Sequence, residues 1–73
     1  MARGWVHTVH KAGVWVNEIE DVGEMSSHHT KEEAVAAGRE LAQARRTEHL
    51  IHHVGGTIAE RNSYGPDDFP PAG

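Results

Sequence analysis

A chain of 73 residues with a formal charge of −4 and no cysteine makes one domain at most, and folding at this size buries only about 60% of the surface that the unfolded chain exposes. No disulfide can staple it, and the net negative charge runs against the basic excess that binding a phosphate backbone requires. No apolar run reaches the ~20 residues of a membrane span, and Met1-Ala2-Arg3-Gly4-Trp5 lacks the apolar stretch of a secretory signal. The expected setting is therefore soluble and cytoplasmic, without membrane contact.

WVHTVHKAGVWVNEIE is rich in Val, Trp, Thr and Ile and is interrupted at Lys11-Ala12-Gly13. This predicts a hairpin, with strands from Trp5 to His10 and from Val14 to Glu20. DVGEMSSHH has no clear period and two adjacent serines, and is predicted as a loop into which the second strand can extend. At Thr30-Lys31-Glu32-Glu33 the signals change together. The threonine hydroxyl can accept from the Glu33 amide while the Glu33 carboxylate reaches back, so a helix is predicted from Lys31 to about Arg46. Ala34, Ala36, Ala37, Leu41, Ala42 and Ala44 are strong helix formers, and Arg45-Arg46 suit the negative end of the dipole.

Along that helix Ala34, Ala37, Gly38, Leu41 and Ala42 recur at helical spacing and form a face of small side chains. Gly38 costs roughly 1 kcal/mol of propensity against alanine, which a bulky strand residue such as a tryptophan packed over it would offset. HLIHHV and TIAERN then flank Gly55-Gly56, and the two glycines predict a second hairpin with a two-residue primed turn. The expected class is α+β, in the order strand, strand, helix, strand, strand: one helix packed on a small sheet made of two hairpins. The ordered core is expected from about residue 4 to 65, with an extended proline-rich tail over 66–73.

Neither face of such a sheet is cleanly polar. By alternation, Trp5 and Val9 lie opposite Val6, Val14 and Val16 lie opposite Trp15 and Ile19, and Leu50 lies opposite Ile51. One helix covers one face, so the other needs a cover: the C-terminal segment anchored by Tyr64 and Phe69, a second copy of the chain, or a binding partner. A short chain without staples favours a homodimer. Arg61 is a candidate for pairing with Asp67 or Asp68, worth roughly 0–1 kcal/mol if exposed.

Seven histidines are the chief anomaly. His7, with His49 and His53 from another strand, could bring imidazoles toward one metal ion, but the spacings match no zinc-finger or H-E-x-x-H pattern, and no metal or other cofactor is expected. Charging all seven would take the formal charge from −4 toward +3, so an acid response is conceivable. The chain has no G-x-S-x-G elbow, P-loop or G-x-G-x-x-G, and no catalytic residue is assigned. The residues best suited to a partner are Trp5, Trp15 and Tyr64 as aromatic anchors, with Arg39, Arg45, Arg46 and Arg61 as cations. A protein partner, self included, is the first reading. A nucleic-acid-associated accessory role using those arginines, with Trp5 or Trp15 stacking, is the alternative.

Trp15, the Thr30-Lys31-Glu32-Glu33-Ala34 opening of the helix, HLIHHVGGTI and above all RNSYGPDDFPP together resemble the DUF2188 family of short, uncharacterised prokaryotic proteins, over about Val6 to Pro71. The resemblance implies a strand-strand-helix-strand-strand domain and no activity. Several members are more basic than this chain, which counts against carrying a nucleic-acid role over from them.

Overall fold

Val6–Lys11 (β1) and Val14–Ile19 (β2) pair antiparallel from Val6↔Ile19 to Lys11↔Val14. They meet in a two-residue turn where Ala12 and Gly13 both take positive φ, 48° and 84°, the condition for a turn whose twist matches its strands. The computed structural model describes residues 3–65. The proline-rich segment, with Phe69, Asp67 and Asp68, lies outside the described residues.

The predicted loop after β2 is a strand. Gly23–His28 (β3) pairs antiparallel with β2 and forms one edge of the sheet. Its sequence hides it for two reasons. An edge strand needs little apolar surface, and the register shifts between Asn17 and Glu18 where Met25 is left over, which breaks the alternation. The first unit is thus a three-stranded meander rather than a hairpin.

Lys31–Arg45 (α1) begins as predicted: Thr30 is the N-cap, and its hydroxyl accepts the Glu33 N–H at 3.1 Å. Arg46 ends the helix in the left-handed region at φ 55°, where the Arg46 amide donates to the Ala42 and Gln43 carbonyls. The chain then runs into Glu48–His52 (β4), which pairs parallel with β1 through Val6↔His49, His7↔Leu50 and Thr8↔Ile51. Ile58–Ser63 (β5) returns antiparallel to β4 as the other edge. The loop between them spans residues 53–57, closed by the Gly56 amide on the His53 carbonyl at 2.9 Å. Of the two glycines expected to form a primed turn, only Gly56 has a positive φ, 102°.

The sheet order is β3-β2-β1-β4-β5. A meander and a hairpin meet at the single parallel seam between β1 and β4, and α1 bridges them by packing on β1, β2, β3 and β4. Under the helix, Val6, Ile19 and Ala42 form the core, with Leu41 and Tyr64 packed against it. Tyr64 therefore serves the helix side, its amide donating to the Thr47 carbonyl at 3.1 Å. It does not shield the opposite face, because the last strand delivers it beside the C-terminal end of the helix.

Beneath Gly38 lies a polar layer instead of a tryptophan. Thr8, Asn17 and His49 are at most 1% exposed, and a Cβ on Gly38 would stand 2.5–2.7 Å from a polar atom of each. The register decides this: Thr8↔Asn17 is a central pair of the sheet, whereas Trp15 pairs with His10 at one end, beneath the start of the helix. There the Lys31 ammonium lies 5.6 Å from the Trp15 ring and the His10 ring meets it edge-on.

Candidate interaction face

The face of the sheet away from α1 carries Trp5, His7, Val9 and Lys11 from β1 and the residue before it, Val14, Val16 and Glu18 from β2, and Glu48, Leu50 and His52 from β4, as alternation requires. Among the described residues no helix lies over it. Even so, Val16 is 3% exposed and Leu50 4%, so the second layer expected from composition is not needed to bury them. Long side chains of the same face lie along part of it. Lys11 and Glu18 form an ion pair although the Val9↔Val16 pair lies between them in the register, so the lysine stem must lie along the sheet and not away from it. Glu24 joins them from the edge, 3.6 Å from the Lys11 ammonium.

At the other end of the face Trp5 is half-buried. The Arg3 guanidinium lies 3.6 Å from its ring centroid and that of Arg61 lies 4.6 Å away, cation–π contacts worth roughly 0.5–1 kcal/mol each at exposed sites. Each arginine is also held by a glutamate: Arg3 Nη2 lies 2.9 Å from Glu20, and Arg61 Nε lies 2.8 Å from Glu48. Glu20 collects most. It accepts from the amides of Arg3 and Trp5 at 3.1 and 3.3 Å, from the Arg3 side chain, and from His7 at 2.7 Å. The Arg3 hydrogen bonds, followed by those of His7 and the two amides, hold its carboxyl down at about 2. Hydrogen bonding by Ser63, then by Arg61, lowers Glu48 as well.

His7 also meets His52 across the seam, Nδ1 to Nε2 at 2.9 Å. The imidazole that sequence reasoning paired with His7, His49, points to the opposite face. There His49 Nε2 lies 2.7 Å from the Thr8 hydroxyl, which donates to Asn17 Oδ1 at 2.5 Å, while Asn17 Nδ2 donates to the Ala34 carbonyl at 2.9 Å. The Asn17 carbonyl can only accept and Thr8 has one proton, so Nε2 of His49 must be the donor to Thr8. Burial first, and the Arg39 charge second, push His49 down to about 4, so the ring works as a neutral donor. Among the described residues no buried side-chain polar atom lacks a partner, and no group of three potential ligands is placed to hold a metal.

Of the residues singled out from sequence, the structure brings Trp5 and Arg61 together. Trp15 is a buried packing residue and Tyr64 a core anchor. Arg39, Arg45 and Arg46 lie on or just beyond α1, across the sheet from Arg61, and do not form one patch with it. Arg3, Glu20, His52 and Glu48 were missed. The only sequence signal for them was even spacing, Arg3 with Trp5 and His7, and Glu48 with Leu50 and His52, which places each set on one face.

A family model described as "Uncharacterized protein conserved in bacteria (DUF2188)" matches residues 6–64. No curated protein and no solved structure matches the chain. Among the described residues no helix is long and apolar enough to cross a membrane.

Proposed function

The chain belongs to the DUF2188 family, and from the uncovered face of its sheet we propose a non-catalytic binding module whose first partner is a second copy of itself. The observation that carries this is the composition of that face. Trp5, Val9 and Val14 are half-buried there, within a mixed set of cations (Arg3, Lys11, Arg61) and carboxylates (Glu18, Glu20, Glu24, Glu48). A two-fold interface sets one patch against itself, so it suits a patch of both signs. An apolar centre inside a polar rim is the anatomy of a protein interface. A chain of 73 residues without cysteine also gains most from such burial.

The nucleic-acid reading has less support. Arg3 and Arg61, the arginines beside the half-buried Trp5, are already paired with glutamates, and a phosphate would have to displace those carboxylates. A cytoplasmic setting belongs to the same proposal, supported by the cysteine-free composition.

Sedimentation equilibrium on the full chain tests the reading, with Val9→Glu as the variant that places a charge at the centre of the face. The expected result is a species of twice the 8.0 kDa chain mass for the wild type and a monomer for the variant. A wild-type monomer at every concentration would overturn self-association. Oligonucleotide binding at low salt that weakens steeply as salt is added would favour the alternative.

A further inference from the structure

The hydrogen-bond chain on the open face does not close with two neutral imidazoles. His52 Nδ1 lies 3.0 Å from the Gly56 carbonyl, which can only accept, so that nitrogen carries a proton. His7 Nε2 lies 2.7 Å from the Glu20 carboxylate, held ionised by its arginine, so that nitrogen carries one too. In a neutral ring the remaining nitrogen is a bare lone pair. His7 Nδ1 and His52 Nε2 would then face each other as two lone pairs at 2.9 Å, which is repulsive.

We propose that the His7–His52 contact is a built-in proton site: an imidazolium–imidazole pair in which His7 carries the additional proton and donates it to His52 Nε2. This follows from donor counting and is independent of what the face binds. The extra charge belongs on His7 rather than His52 because the Glu20 carboxylate touches His7 and only a neutral carbonyl touches His52. A metal ion is the other occupant that would reconcile two lone pairs, but the distance opposes it. Two nitrogens each about 2.0–2.1 Å from a tetrahedral ion stand roughly 3.3 Å apart, whereas 2.9 Å is the ordinary separation across a hydrogen bond. No third ligand is placed nearby among the described residues.

The position of the pair makes the proton structural. Among the described residues β1 and β4 are the only strands joining the meander to the hairpin, and a histidine pins that seam on each face: His49 to Thr8 under the helix, His52 to His7 on the open side. The charged groups facing the pair are Glu20 with Arg3 behind it, Glu18 at the register position beside His7 with Lys11 and Glu24, Asp21 at the edge of the open depression beside His7, and Arg61 with Glu48 from the hairpin side. As pH rises the additional proton leaves and the open-side pin loses its hydrogen bond. As pH falls His52 gains its own proton and two imidazolium rings face each other. The pin therefore holds in a bounded pH interval.

Long-range proton–nitrogen NMR of the imidazoles in the full chain, across pH, tests this. The expected result is an interval in which His7 shows two protonated nitrogens and His52 only Nδ1–H. The two rings should titrate together at the alkaline edge, the ring contact should be lost there, and amide exchange at Thr8 and Leu50 should quicken about tenfold. Glu20→Gln, which keeps an amide oxygen for the Arg3 and Trp5 N–H groups but removes the negative charge beside His7, should move that edge down. Rings that stay in contact while both are neutral, or that titrate independently, would overturn the proposal. Stoichiometric binding of Zn²⁺ that shifts both rings within that interval would overturn it in favour of a metal site.

Discussion

Gly38 stands directly over His49: a methyl group on the Gly38 α-carbon would lie 2.6 Å from the His49 Nε2 atom. The glycine lets the helix descend onto a polar layer whose members satisfy one another. Gly38→Ala gains about 1 kcal/mol of helix propensity, but it drives a methyl group into Thr8, Asn17 and His49, which are locked together and cannot swing away. Overpacking of this kind costs typically 1–3 kcal/mol, with broken hydrogen bonds in addition. The expected outcome in urea unfolding is a net loss of roughly 2 kcal/mol. An unchanged or improved midpoint would contradict the packing described.

Thr8→Val tests the same layer from below. The hydroxyl is the sole link between Asn17 Oδ1 and His49 Nε2, and valine of similar shape leaves both without a partner. Each buried orphan costs about 1–3 kcal/mol, which outweighs the better strand propensity of valine. Stability should fall by at least about 2 kcal/mol, and the His49 ring should lose its single orientation in NMR spectra.

Acid should destabilise the fold first through His49. Its folded value, about 4, lies below the 6.5 of a free histidine. The unfolded chain therefore binds a proton that the folded chain refuses between these limits, and stability falls as pH drops through that window. One proton gives a slope approaching 1.4 kcal/mol per pH unit, roughly 3 kcal/mol in all. Glu20 adds a second loss lower down, because its stabilisation is present above 4.5 and disappears as pH falls through about 2. His49→Gln, which keeps a donor for Thr8 without a titration, should flatten the stability profile between pH 6.5 and 4. A variant with the wild-type slope would contradict the assignment.

Tyr64→Ala should lower stability by about 2 kcal/mol, since the ring is partly buried against Val6, Ile19 and Ala42. Thr30→Ala should cost about 1 kcal/mol by removing the helix cap. The two sites share no partner, so the double variant should show the sum within about 0.5 kcal/mol. Thermal or urea unfolding of the four proteins checks both values and their additivity.

Where local chemistry decides the structure, the sequence was sufficient. Thr30 and Glu33 marked the helix start, Lys11-Ala12-Gly13 the first turn, and alternation separated Trp5 and Val9 from Val6, Val14 and Val16 from Trp15 and Ile19, and Leu50 from Ile51, although only the register joins these sets into two faces. It failed where tertiary register decides. Nothing in GEMSSH signals a strand, because its pairing is imposed by β2 and broken by a bulge at Met25. Nothing in the spacing of His7 and His52 reveals that a parallel seam brings them together. Gly38 was recognised as a point of close approach, but its neighbours were misjudged, since a small-residue helix face permits approach without saying whether oil or hydrogen bonds lie beneath. The open face was read as needing a further layer because its apolar residues were weighed without the long side chains of Lys11, Arg3 and Arg61 that lie along it.

The most direct test of the proposed role is a concentration series of amide NMR spectra on the full chain. Self-association through the open face predicts concentration-dependent shifts gathered at Trp5, His7, Val9, Val14 and Val16, with the exposed side of α1 unmoved. Spectra that do not change with concentration, or shifts gathered on the helix around Arg39 and Arg45, would contradict it.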